Sequence, residues 1–170
     1  MIEGSEEKEA IALSEPKLIS PLLDGFVMGD PMSEHDGVRC CPAMKKDSDE
    51  KYIVKILSIP ANQTKVEALL LTGAFPNSAA ALDYFRGLGQ DIVNETEELE
   101  KLSKLEGFLP FDGVQMLPMD GEVGYDVYLL SPYRRSLERY FRKEVITHLA
   151  AVNLGLDLCA AAAIARHEGF

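Results

Sequence analysis

The feature of this sequence that most constrains its fold is a change in the spacing of apolar residues part-way along the chain. Before the change, residues 25–29, 38–44 and 51–59 have strand character, and the last of these runs is rich in β-branched residues. Short polar turns separate the runs, and the first turn closes on Asp36-Gly37. Three such runs joined by short turns predict an antiparallel meander.

After the change, the apolar residues follow helical spacing. Residues 62–71 predict a short helix, and Asn77 or Ser78 can cap a longer helix that runs to about Leu105. Apolar residues recur at intervals of three and four along the longer helix. They predict one apolar stripe, formed by Phe85, Leu88, Ile92, Leu99 and Leu102.

The last third of the chain returns to strands and then to helices. Residues 112–119 and 124–130 predict two more strands, and residues 136–142 a helical turn or two. Thr147 can cap a final helix that runs to about His167. The order of elements therefore predicts an α+β fold with a five-stranded antiparallel sheet.

The chain is acidic, which limits the partners it can have. It has 170 residues, a formal net charge of −11 and a pI of about 4.7. No basic run exceeds two residues, and Arg134-Arg135 is the run that has further arginines, Arg139 and Arg142, close behind it. Because a nucleic-acid-binding domain usually carries a basic stripe, we expect no nucleic-acid partner, although this short segment could meet phosphate locally.

The patterns of membrane and secreted proteins are weak in this sequence. The apolar stretch closest to membrane-spanning length, residues 149–165, is interrupted by Asn153 and Asp157. The N-terminus has no basic-then-apolar signal pattern. An odd number of cysteines (Cys40, Cys41 and Cys159) without metal-ligand spacing indicates reduced thiols. We therefore expect a cytoplasmic protein with no membrane contact and no metal site.

Two charged residues occupy positions where the pattern favours apolar ones. Lys55 lies in a run, residues 52–57, whose two faces are both apolar, so it should point inward or into a cleft. Glu95 falls on the helical stripe between Ile92 and Leu99. Because an unpaired buried charge is costly, the economical arrangement is that the two charges meet. The structural alternative is a lysine that reaches out to solvent and a glutamate at the rim of the core.

In this order of elements, the sequence resembles the small lobe of a protein kinase from about residue 25 to the last residue. More narrowly, it is similar to bacterial serine/threonine-kinase-like proteins. Ile53-Val54-Lys55 resembles the third-strand motif whose lysine contacts the nucleotide phosphates, and Glu95 resembles the glutamate of helix C that pairs with that lysine. The resemblance implies a five-stranded antiparallel sheet with helix C, followed by C-terminal helices.

The resemblance also implies an adenine pocket. Ser131 corresponds to the gatekeeper, and Pro132, Tyr133 and Arg134 to the hinge where adenine docks. Gly29 and Gly37 bound the loop that corresponds to the glycine-rich phosphate loop. That loop is longer here and carries three carboxylates, on Asp30, Glu34 and Asp36.

The resemblance divides the chain into three parts. Residues 1–16 form an acidic flexible tail, residues 17–133 the small lobe, and residues 134–170 the hinge exit with helices D and E at the start of a large lobe. The family's catalytic loop and Asp-Phe-Gly motif would follow Phe170, so we expect phosphotransfer with ATP and Mg²⁺ only in an intact parent protein. For this chain alone we expect weak nucleotide binding and no firmly held cofactor.

Two other functions stay open at this stage. The parent protein could be a pseudokinase or kinase-like interaction scaffold, with a protein partner that the sequence does not identify. A non-kinase α+β interaction domain, in which the charge pair is only structural, predicts no cleft between the sheet and the hinge. The final helix is apolar nearly all round, so we also expect a homodimer formed through it.

Overall fold

Six strands form one curled antiparallel sheet in the computed structural model of the chain, which describes residues 21–105, 107–143 and 145–170. The predicted acidic tail, residues 1–16, lies outside the described residues. The strands are β1 (Phe26–Met28), β2 (Ser33–His35), β3 (Val38–Lys45), β4 (Lys51–Ile59), β5 (Gly113–Pro118) and β6 (Tyr125–Pro132). Their order is β1-β3-β4-β6-β5, and β2 pairs with β3 off this path. The five predicted strands are therefore confirmed, and β4 is central as its two apolar faces require.

β2 was not predicted, because its residues have turn composition. It continues the hairpin of β1 and β3 beyond a bulge. Met28 pairs with Ala43 and Ser33 with Cys40, so four residues, 29–32, face two residues of β3. The hairpin turns at Asp36 and Gly37, both with positive φ (47° and 77°), as a tight hairpin turn requires.

Within the described ranges, four α-helices and a short 3₁₀ turn, Pro21–Leu23, accompany the sheet. The helices are α1 (Gln63–Leu71), α2 (Ser78–Ser103), α3 (Leu137–Lys143) and α4 (His148–His167). The side chain of Asn77 caps α2 by accepting the N–H of Ala80, and that of Thr147 caps α4 by accepting the N–H of Ala150. Both predicted caps are thus confirmed.

The core is divided between the two faces of the sheet. On the outer face, Val54, Ile56 and Leu130 pack with the 3₁₀ turn and Phe26. On the opposite face, which we call the helix face, α1 and α2 cover Ile59, Met116 and Tyr125. Because side chains alternate along β4, residues 53, 55 and 57 lie on the helix face together with Ile59.

α4 buries no residue among those that the structure describes. By length and composition alone it is able to cross a membrane, although Asn153, Gly155 and Asp157 interrupt its apolar residues. The expected absence of membrane contact stays a prediction. The same helix has large apolar side chains in water, including Leu149 and Leu156 at 68% and 64% exposure. The expected apolar surface is therefore present.

Candidate functional site

A cavity of about 510 Å³ opens where the sheet meets the segment that leaves β6. Most of its lining is apolar, including Val27, Met32, Pro42 and Met44. Tyr133 closes one side, and Lys51 and Arg139 supply cationic groups. It therefore combines an apolar slot with a few polar groups, the usual make-up of a small-molecule site.

Most of the strand residues that line this cavity lie on the helix face, whereas Met28, Ala43 and Tyr52, which also line it, lie on the outer face. Met44 pairs with Lys51, Pro42 with Ile53, and Cys40 with Lys55, and paired residues project to the same side. Lys55 is four residues beyond Lys51 on β4, which at about 3.3 Å per residue separates their Cα atoms by roughly 13 Å. Lys55 thus stands on the face that carries most of the cavity's strand lining, further along the sheet.

Of the predicted gatekeeper and hinge residues, Tyr133 lines the cavity, and Ser131, Pro132 and Arg134 are its chain neighbours outside the lining. Ser131 pairs with Ile53 and so lies on the helix face. Pro132 ends β6, and the N–H of Tyr133 extends the ladder by donating to the carbonyl oxygen of Lys51 at 2.8 Å. The backbone N–H of Arg134 has no hydrogen-bond partner among the described residues. It therefore remains free to donate to a ligand.

The two predicted loop glycines have different positions. Gly29 lines the cavity, and its N–H donates to the carbonyl oxygen of Pro42 at 2.8 Å. A Cβ added to Gly29 would lie 3.1 Å from Pro42 Cγ, so the close approach of these chains favours glycine. Gly37 lies instead at the hairpin tip and lines a different cavity, of about 310 Å³. The structure does not bring the two glycines together.

Lys55 and Glu95 are both exposed. Among the described residues, no salt bridge or side-chain hydrogen bond involves either of them. Lys55 is therefore not buried, its position in a cleft stays a prediction, and the side chains of the predicted pair are not in contact in this conformation.

The buried stripe of α2 differs from the predicted one. Gly89, Val93 and Thr96 are buried, whereas Leu88 and Leu99 are 40% and 51% exposed. Because successive residues of a helix are about 100° apart, Glu95 lies beside the buried stripe rather than on it. The predicted stripe is therefore confirmed at Phe85 and Leu102 and wrong at Leu88 and Leu99, and Glu95 sits on the exposed flank of the buried stripe.

The carboxylates of the loop are partly turned away from the helix face. Glu34 pairs with Arg39 and, like Arg39, lines the smaller cavity. Asp36 lies in the hairpin turn, where its carboxylate is 3.0 Å from His35 Nε2. The carboxylates of Glu34 and Asp36 therefore do not line the apolar cavity. Asp30, the third loop carboxylate, lies in the bulge of the hairpin and is not a lining residue either.

The smaller cavity contains a polar network rather than a slot. Asp126 accepts hydrogen bonds from Arg39 Nη2 at 3.0 Å and from Ser58 Oγ at 2.7 Å. Burial raises the pKa of the neighbouring Tyr128 phenol, and the Asp126 carboxylate raises it further. These groups satisfy one another, so we assign the network to stability.

Of the residues that line the apolar cavity, only Gly29 and Tyr133 were predicted as site residues. Among those missed, Met32 was assigned to a turn, Lys51 to a strand and Arg139 to a helical turn. Arg139 carried the only available signal, since it belongs to the one basic segment of an acidic chain.

The fold defines a class: an α+β protein with a curled antiparallel sheet of five to six strands and four helices. Comparison of the chain with protein-family models, with curated proteins and with solved structures finds no match.

Proposed function

We propose that this chain is the nucleotide-binding small lobe of a kinase-like protein. The observation that carries the proposal is the cavity between the sheet and the hinge segment, whose strand lining lies mostly on the face that also bears Lys55 and α2. A purely structural interaction domain has no need of such a cleft.

Each part of a nucleotide has a plausible partner on this face. The apolar walls around Pro42 and Met44 suit a flat purine ring, and the free N–H of Arg134 suits its hydrogen-bonding edge. Lys55, an exposed ammonium group further along β4, suits the phosphates as a point charge. ATP with Mg²⁺ would supply the phosphoryl group. Transfer of that phosphoryl group is proposed only for a protein that also carries the catalytic base and metal ligands of the kinase family.

A kinase-like scaffold with weak nucleotide binding is the second candidate. It is favoured by the absence of contact between Lys55 and Glu95, since an active kinase needs the corresponding pair in place. Exposed α4 offers such a scaffold a surface for a protein partner. A cytoplasmic location belongs to both versions of the proposal.

Calorimetric titration of the chain with adenosine and with Mg-ATP tests the proposal. We expect weak binding of both. Replacing Lys55→Met should weaken Mg-ATP about tenfold, the value of one charge-assisted contact, and leave adenosine unchanged. Lys45→Met is the matched control, because Lys45 lies at the end of β3 and approaches Glu50. Equal effects of the two substitutions would contradict the assignment of Lys55.

Thiol labelling provides an independent readout. Cys40 is partly buried on the helix face opposite Lys55, Cys41 is buried, and Cys159 is exposed on α4. Bound Mg-ATP should slow the alkylation of Cys40 and leave Cys159 unaffected. If saturating nucleotide does not slow the alkylation of Cys40, the phosphates do not lie over the Cys40–Lys55 pair.

A further inference from the structure

The mouth of the apolar cavity is cationic, although the chain as a whole carries a formal net charge of −11. Lys51 and Arg139 line it, and no carboxylate side chain is among the described residues of its lining. Neither cation forms a salt bridge with a described acid. The mouth is therefore complementary to an anionic group on a ligand whose apolar part fills the slot.

Local contacts hold Arg139 at this mouth. Ser136 Oγ accepts the backbone N–H of Arg139 at 3.2 Å and so fixes the first turn of α3. The guanidinium Nη1 donates to Tyr133 Oη at 3.2 Å. A guanidinium has five N–H donors in a planar fork, so several remain for a phosphate.

The cations lie at two separate places along the helix face. Of these two lysines of β4 only Lys51 lines the cavity, and the Cα atom of Lys55 is roughly 13 Å further along the strand. If the 5′-phosphates of a nucleotide extend toward Lys55, an anion at Arg139 must come from another part of the molecule. The other positions of a nucleotide that commonly carry phosphate are the ribose 2′- and 3′-hydroxyls.

We propose that Arg139, together with Lys51, forms an anion subsite that selects adenosine nucleotides phosphorylated on the ribose 2′ or 3′ position. The inference rests on the proposed nucleotide function and adds a specificity that the function alone does not require.

Calorimetric titration of the whole chain with adenosine, adenosine 2′-monophosphate and adenosine 3′-monophosphate tests the subsite. We expect at least one of the phosphorylated ligands to bind about tenfold more tightly than adenosine. Arg139→Gln should remove this gain, and Arg139→Lys should keep part of it. Arg135→Gln removes the same charge from a neighbouring exposed residue that does not line the cavity, and it should keep the gain in full.

The possible failures are distinguishable. Equal affinity for the three ligands, or equal losses in Arg139→Gln and Arg135→Gln, would overturn the anion subsite and leave adenosine binding in place. Absence of binding by all three ligands and by Mg-ATP would overturn the proposed function itself. The thermal unfolding midpoint of each variant shows whether a loss of binding comes from a loss of folding.

Discussion

Substituting Gly37 by alanine should destabilise the protein by more than backbone strain alone explains. Gly37 has φ of 77°, and an added Cβ would lie 2.4 Å from Ala61 Cβ and 2.6 Å from Ala61 Cα. The backbone strain costs about 1–2 kcal/mol for a residue with a Cβ. Relieving the overlap requires movement of a backbone that is tied to Gly37 by the hydrogen bond from Ser58 N–H to Gly37 O, at 2.8 Å. Overpacking of this kind adds about 1–3 kcal/mol.

Gly121→Ala is the matched control. Gly121 has φ of 71°, and nothing lies within 4 Å of its added Cβ, so this substitution carries the strain without the overlap. Both substitutions lose the same glycine entropy from the unfolded chain. The difference in the free energy of unfolding between the two variants should therefore be about 1–3 kcal/mol, which isolates the overlap.

Urea unfolding followed by circular dichroism measures this difference. With a denaturant slope of about 2 kcal/mol per molar, Gly37→Ala should unfold roughly 0.5–1.5 M earlier than Gly121→Ala. Coincident midpoints would refute the docking of the hairpin tip on Ala61.

Three further outcomes are expected. Asn77→Ala should lower the free energy of unfolding by about 1 kcal/mol, because Asn77 Oδ1 accepts the N–H of Ala80 at 2.9 Å, whereas Asn77→Ser should recover most of it; an equal loss in both variants would contradict the cap. Burial raises the pKa of the Cys41 thiol above its ordinary value of 9.0, so the folded state favours the neutral thiol, and stability should be lost as the pH rises above about 9. Urea midpoints measured across that range should fall less steeply in Cys41→Ala, and parallel curves would contradict the assignment. Light scattering of the unsubstituted chain at tens of micromolar should show a dimer that Leu156→Glu dissociates, since Leu156 is 64% exposed on α4. A monomer before substitution would reject self-association. Liposome flotation tests whether α4 binds a membrane instead.

The element bounds could be predicted because local spacing determines them. The run at residues 51–59 coincides with β4, and the predicted end at His167 is the last residue of α4. For β4 a run of β-branched residues between polar turns marks the strand, and for α4 the cap Thr147 and the apolar residues after it mark the helix.

The phase of the α2 stripe could not be predicted, because it depends on tertiary packing. Gly89 is buried where the helix lies close to the sheet: an added Cβ would be 2.4 Å from Met116 Sδ, so glycine fits there. Thr96 is tolerated in the buried stripe because its hydroxyl donates to the carbonyl oxygen of Ile92 at 2.7 Å. Hydrophobicity alone ranks Gly89 and Thr96 below Leu88 and Leu99. The predicted stripe was therefore drawn through the leucines, and Glu95 was placed on it.

The cavity could be predicted only in part. The hinge residues Ser131 to Arg134 follow from the resemblance, and the structure places Tyr133 in the lining. The contributions of Met32 and Arg139 depend on long-range pairing and on the direction in which α3 leaves the sheet. Neither of these is encoded in a short window of sequence.

The bulge in the first hairpin determines where the backbone hydrogen bonds of that hairpin are interrupted. The tip is held by Gly37 O, and the two sides of the bulge are held by Gly29 N–H on Pro42 O and by Met32 N–H on Cys40 O, each at 2.8 Å. Between these anchors only Asp30 and Pro31 lack a described backbone hydrogen bond to β3. Asp30 and Pro31 are therefore the residues of this hairpin whose backbone the described hydrogen bonds restrain least.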